Sequence, residues 1–195
     1  LAEINPLILK PTGEVHALDA KVTLDDSAAF RHPEWDAFRG LTEMDEREKM
    51  AAEKGLQYIG LDGDVGIIAN GAGLAMSTLD VVNQVGGSAA NFLDIGGGAN
   101  ADVMAGALEV INFDDNVRSI LINIFGGITR GEEVAKGIVE AMGRVELRAP
   151  IVIRLDGTNA EEGRRILLDA GIPADKLQSE PTMLDAARAA VAKAK

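Results

Sequence analysis

The chain has 195 residues, 47 % of them hydrophobic and 26 % charged, which is enough apolar material for one full domain and a smaller piece. Its net charge of −12 excludes binding driven by nucleic-acid phosphates or anionic membranes, because no basic patch is present to release counterions. The lack of cysteine excludes disulfides, thiolate catalysis and zinc–thiolate sites, and no run of about 18 apolar residues is present to span a bilayer.

The chain opens on Leu1-Ala2-Glu3-Ile4-Asn5-Pro6, with neither a starting Met nor a signal-peptide pattern, and reads as part of a longer sequence. Residues 4–10 and 15–22 are apolar-rich and are joined by Pro11-Thr12-Gly13-Glu14, which predicts a β-hairpin. From Thr23 to about Gly55 the character changes. Asp25, Asp26, Glu34, Asp36, Glu43, Asp45, Glu46, Glu48 and Glu53 stand among few β-branched residues, as in a connector that is partly helical near 45–54.

From Asp64 the pattern becomes regular. Continuous apolar runs predict strands at 65–69, 91–95, 119–125 and 150–155, with a shorter one near 176–179. Helices are expected at about 73–85, 100–112, 130–143, 159–170 and 181–194; Glu161, Glu162 and Pro181 mark starts, and Gly86 and Gly171 mark ends. Five strand–helix units define an α/β fold, a flavodoxin-like or Rossmann-like doubly wound parallel sheet.

Three of these units turn on glycine-rich segments: Asn70-Gly71-Ala72-Gly73, Gly96-Gly97-Gly98 and Gly126-Gly127-Ile128. In a doubly wound sheet all three fall at the carboxyl edge of the strands. A helix that opens there carries unsatisfied N–H groups and a partial positive charge, so it can receive a phosphate or carboxylate without a basic side chain. The first turn, continuing to Met76, has the look of a dinucleotide fingerprint with Asp94 as the ribose-binding acid, but Met76 stands where a small residue should allow close packing. The triple glycine fits either close backbone approach to a ligand or a mobile loop. The third turn is the sharpest candidate: the N–H groups of Gly127, Ile128 and Thr129 face the space before a helix, and Arg130 adds a planar cationic fork.

In the hairpin, Glu3, Asn5 and Asp19 can project from neighbouring strands as hard oxygen ligands of the kind Mg²⁺ takes alongside nucleotide phosphates. Neither His16 nor His32 lies near a glycine turn in sequence, and no Walker A or His-Glu-x-x-His pattern occurs.

Glu3-Ile4-Asn5-Pro6-Leu7, Leu18-Asp19-Ala20-Lys21, Asn70 to Met76, Asn91 to Gly98, Asn123 to Ile128 and Arg154-Leu155-Asp156-Gly157-Thr158-Asn159 together closely resemble the β subunit of succinyl-CoA synthetase, or succinate–CoA ligase, in its carboxyl-terminal half. The resemblance implies that residues 1–60 end an ATP-grasp domain and its connector, and that residues 61–195 form the flavodoxin-like ligase domain. It implies a ligase of the tricarboxylic acid cycle, ADP- or GDP-forming, working through a phosphohistidine on a partner α subunit. By motif match, Asn70, Gly127, Ile128 and Thr129 would bind succinate and phosphate. Asn5 and Asp19 would hold Mg²⁺ with ATP/ADP or GTP/GDP bound mainly upstream, and Glu3 would assist phosphoryl transfer as a catalytic residue. The resemblance further implies a cytoplasmic protein (mitochondrial matrix in a eukaryote) and a segment inactive without its upstream domain. A related acid–CoA ligase acting on malate, a non-catalytic flavodoxin-like binding module and a dinucleotide-binding dehydrogenase are the alternatives.

Overall fold

The computed structural model describes residues 1–38, 45–98, 100–127 and 129–195. The expectations for Ile128, Ala99 and Glu43 lie outside the described residues. The chain divides into two compact units, Leu1–Glu43 and Met44–Lys195.

The smaller unit is a folded-back ribbon. Strand β1 (Ala2–Ile4) pairs antiparallel with β4 (Ala20–Val22), and β2 (Leu7–Leu9) pairs with β3 (Val15–Ala17). The predicted hairpin is therefore present, but it is interrupted at Asn5-Pro6 on one side and Leu18-Asp19 on the other. Proline has no N–H for the ladder, so pairing across Pro6 runs only from Leu18 N to the Pro6 carbonyl at 3.1 Å. Two 3-10 turns, Asp26–Arg31 and Pro33–Phe38, follow, and His32 stacks on Trp35 with ring centroids 4.4 Å apart.

The larger unit begins with helix α1 (Glu46–Glu53) and strand β5 (Gln57–Gly60). The sequence places the domain boundary at 60/61, whereas the compact units part between residues 43 and 44. Packing explains the difference: Ala51, Leu56 and Tyr58 are buried in the main core. Arg47 pairs with Asp114, and Lys54 Nζ lies 2.6 Å from Glu109 Oε2.

The expected strand–helix alternation then follows closely: β6 (Val65–Ala69), α2 (Ala72–Gln84), β7 (Asn91–Asp94), α3 (Ala101–Asn112), β8 (Ser119–Gly126) and α4 (Gly131–Arg144). It continues through β9 (Ile151–Gly157), α5 (Ala160–Asp169), β10 (Leu177–Glu180) and α6 (Met183–Ala194). The six strands lie in the order β10-β9-β8-β6-β7-β5, with only β5 antiparallel. The five parallel strands thus run second, first, third, fourth, fifth, and the order reverses between β6 and β8. Such a reversal leaves a crevice at the strands' carboxyl ends.

Helices cover both faces. Met104, Leu108, Ile111, Val134, Ile138 and Leu167 pack on one face against Ile122 and Ile124. Val82, Ala186, Ala190 and Val191 pack on the other face against Ile67 and Leu121. Double coverage is why the strands read as unbroken apolar runs. Strands β6 and β7 approach as backbone only at Ala69–Asp94 and at the bridge Val65–Ala89. Between them the buried Asn91 amide completes the ladder, accepting from Ile67 N at 2.9 Å and donating to Ile67 O at 2.8 Å.

Candidate functional site

All three glycine turns lie at the carboxyl edge of the sheet, and side chains tie them together. Asn70, just after β6, donates from Nδ2 to Phe125 O and accepts from Phe125 N, both at 2.9 Å, and so clamps the end of β8 across the switch point. Asp94 Oδ1 accepts from Gly71 N at 2.6 Å and from Gly96 N at 2.7 Å. Thr129, which is buried, donates from Oγ1 to Gly97 O at 2.9 Å. A fourth turn joins them: Thr158 N donates to Gly126 O at 3.1 Å, and Gly131 N donates to Thr158 O at 2.9 Å.

This last contact explains the glycines. A Cβ on Gly157, whose φ is +87°, would lie 2.1 Å from Gly126 O, and one on Gly126 would lie 2.9 Å from both Thr129 O and Thr158 N. The backbones of the third and fourth turns approach so closely that neither position has room for a side chain. Gly127 differs, since a Cβ there meets nothing within 4 Å.

The three helix mouths are not equivalent. Helix α3 is closed by its own residue, because Asn100 Oδ1 accepts from Val103 N at 3.0 Å. Helix α2 opens at Gly71 without a side-chain cap, and the Asp94 carboxylate holds only the N–H of Gly71 itself. Helix α4 opens at Arg130 with no side-chain cap, and the N–H groups of Gly127 and Thr129 have no hydrogen-bond partner among the described residues. In front of it lies a cavity of about 260 Å³ lined by Gly97, Gly98, Asn100, Thr129, Arg130 and Glu133, with Val134 behind. A free N–H on Thr129, a helix dipole and a guanidinium beside one cavity can hold an anion.

Arg130 is not free. Its Nη2 lies 2.7 Å from Glu132 Oε1, and the same oxygen accepts from Asn159 Nδ2 at 3.0 Å. Asn159 precedes α5 in the left-handed region, at φ 55°. The Asn159 hydrogen bond, aided by Glu132's own N–H and by Arg130, holds the Glu132 carboxyl below its ordinary range against the opposing effect of burial. Beneath the edge, Arg154 reaches Asn123 Oδ1 at 3.3 Å, pairs with Asp156 and lies under the Phe125 ring, 5.6 Å from its centroid.

The hairpin residues form a separate group in the smaller unit. Asn5 N donates to Asp19 O at 3.3 Å, so the two residues face each other where the ribbon is interrupted. Asn5 Nδ2 donates to Glu3 Oε1 at 3.3 Å, and Asp19 Oδ1 accepts from Ala20 N at 2.8 Å. Asn5 Oδ1 and Asp19 Oδ2 have no hydrogen-bond partner among the described residues, and hard oxygen atoms of this kind are those Mg²⁺ takes.

Sequence reasoning located the α4 mouth through its glycines. It did not find the Asn70 clamp, the Asp94 brace or the Glu132–Asn159 bond, because each joins residues from different strand–helix units. The dinucleotide alternative is not favoured, since Asp94 is engaged with two backbone N–H groups.

A mostly parallel sheet wound in this order, with its glycine turns gathered at one edge, is a flavodoxin-like architecture, and the chain belongs to the CoA-ligase family, whose pattern it matches over residues 68–189. Its sequence is similar to β subunits of ADP-forming succinate–CoA ligase. That of Rubrobacter xylanophilus is 57 % identical over 191 residues, covering 98 % of this chain and 49 % of the relative. That of Herpetosiphon aurantiacus is 55 % identical over the same length, again covering 98 % of this chain and 49 % of the relative. The chain therefore spans about half the length of these curated relatives. Among solved structures, ATP citrate lyase from Methanothrix soehngenii, in complex with citrate and coenzyme A, superposes with a TM-score of 0.66 at 19 % identity. That match covers 87 % of this chain and 52 % of the other, and it shows a shared fold. Among the described residues no helix is long and apolar enough to cross a membrane.

Proposed function

We propose that this chain is the part of a succinate–CoA ligase β subunit that receives the phosphate and the acid substrate at the α4 mouth and docks the partner α subunit. The observation that carries this reading is the contrast between the three helix mouths. Asn100 caps α3 and Asp94 holds the N–H of Gly71 before α2, whereas in the turn before α4 the N–H groups of Gly127 and Thr129 have no partner among the described residues and Arg130 stands beside them.

In the reversible reaction of succinyl-CoA, phosphate and a nucleoside diphosphate, the phosphoryl group would rest on a histidine of the α subunit. A transferring phosphoryl group needs positioning and charge stabilisation more than covalent help. Backbone N–H groups of Gly127 and Thr129, held rigid by Thr129 Oγ1 on Gly97 and by the Gly126–Thr158 contact, supply both without reorganisation. Asn70 sets the position of this turn through Phe125, and its other amide hydrogen and lone pair would remain for a ligand. The exposed Phe125 and Met76 on the same units offer apolar surface to a docking chain.

We assign residues 1–60 to the end of an ATP-grasp domain and its connector, the connector's α1 and β5 packing into the larger unit. The support is physical: Ile4, Leu7, Leu9, Val15, Leu18 and Val22 are all exposed on the ribbon, more apolar surface than a ribbon of four short strands keeps in water by itself. Asn5 and Asp19 would hold Mg²⁺, which would neutralise nucleotide phosphates, and Glu3 would assist transfer beside them.

Gly127→Val in the assembled enzyme tests the proposal. Beyond its chain neighbours, no atom of the described residues lies within 4 Å of the added Cβ, so the fold should persist while bulk enters the mouth. Histidine phosphorylation is expected to fall at least about a hundredfold, the size typical of losing one oxyanion donor, with nucleotide binding intact. Unimpaired phosphorylation would refute the role of this mouth.

A further inference from the structure

We infer that Glu132 sets how tightly the α4 mouth holds an anion, by withholding the charge of Arg130 from it. The inference rests on the reading of that mouth as an anion site. Three observations carry it. Arg130 lines the cavity, but its Nη2 is paired 2.7 Å away with Glu132 Oε1. That oxygen is also fixed by Asn159 from the neighbouring helix start at 3.0 Å, so Glu132 is anchored on both sides. The other oxygen, Glu132 Oε2, is buried and has no hydrogen-bond partner among the described residues.

An ionised oxygen without a donor keeps its field. Glu132 is only 9 % exposed, so that field is weakly screened by water and opposes any anion arriving at the first turn of α4. The carboxylate also stays charged at neutral pH, because Asn159 and Arg130 favour the ionised form. The chemistry gives the arrangement a purpose. A site that takes up phosphate and then hands a phosphoryl group onward gains nothing from holding the ground state tightly. A paired guanidinium gives direction to the anion with less of the affinity that a free one would add.

The opposite role, in which Glu132 merely steadies the loop, predicts the opposite sign, so the test is one of sign. Inorganic phosphate binding to the full-length β chain in its complex would be measured by ³¹P NMR titration at fixed ionic strength. Relative to the unaltered protein, Glu132→Gln is expected to bind phosphate about two- to fivefold more tightly, the size of one partly exposed ion pair. Glu132→Ala should shift in the same direction. In the Arg130→Met background the gain should vanish, because there is no charge left to release.

Equal or weaker binding by both Glu132 variants would overturn the inference while leaving the anion site standing. So would a gain that persists without Arg130, which would point to the helix dipole alone. If neither Glu132 variant folds, the residue is structural and the inference fails. If phosphate binds to none of these proteins, the anion-site reading fails and takes the inference with it.

Discussion

At the scale of single residues, the site depends on which glycine is needed and why. Gly126 and Gly157 are required by the close approach of two turns, with a Cβ on either falling within 3 Å of the opposing backbone. Gly127 is not crowded by any described residue beyond its neighbours, and the open space before it lets a ligand approach the backbone. Gly126→Ala should therefore cost about 1–3 kcal/mol of stability through overpacking, read as a lowered denaturation midpoint, whereas Gly127→Ala should leave the midpoint unchanged. Equal effects at the two positions would show that the turns do not pack as described. The run Gly126-Gly127 is plain in the sequence, yet nothing local distinguishes the two residues, because the atoms that crowd Gly126 belong to Thr129 and to Thr158, the latter more than thirty positions on.

At the scale of elements, helix boundaries were legible where capping chemistry is local. Thr182 and Asp185 bond each other across the first turn of α6, with Asp185 N donating to Thr182 Oγ1 at 3.1 Å, and Asn100 caps α3. Strand β5 was not legible: its four residues alternate, with only Tyr58 buried, and they follow an acidic stretch with no turn signal of strand type. The element is secured through α1. Asp45 caps that helix, accepting from Arg47 N at 2.8 Å, and also receives Arg47 Nε at 2.9 Å, while Arg47 reaches on to Asp114. The hydrogen bonds from the Arg47 side chain are the main cause of the Asp45 carboxyl standing at about 2, below its ordinary 3.8. A depressed carboxyl means that the unfolded chain binds more protons, so the contribution is complete above pH 4 or so and is lost as pH falls towards 2. Hydrogen exchange at β5 should accelerate over that interval in the native protein. Asp45→Asn should abolish that dependence, and an unchanged acid response in the variant would remove Asp45 from the account.

At the scale of the whole molecule, the two compact units differ in kind. The larger has a continuous core on both faces of its sheet, whereas the smaller buries almost none of its apolar side chains. A chain beginning at residue 44 should accordingly unfold cooperatively, with a thermal midpoint within a few degrees of that of the whole chain, since few stabilising contacts are removed. A loss of cooperativity on removing residues 1–43 would show that the ribbon supports the sheet after all. The alternation of apolar runs with 3.6-period helices, and the glycine turns between them, are properties of neighbouring residues, so the sequence by itself determined an α/β sheet, its parallel strands and the location of a candidate anion site. The order in which strands lie, the addition of α1 and β5 to the larger unit, and the bracing of the first two glycine turns by Asp94 were decided by tertiary structure. The physical reason is range: periodicity and turn chemistry act over a few residues, whereas the pairing of Asn70 with Phe125, Asp94 with Gly71 and Glu132 with Asn159 exists only once distant segments have been brought to one edge.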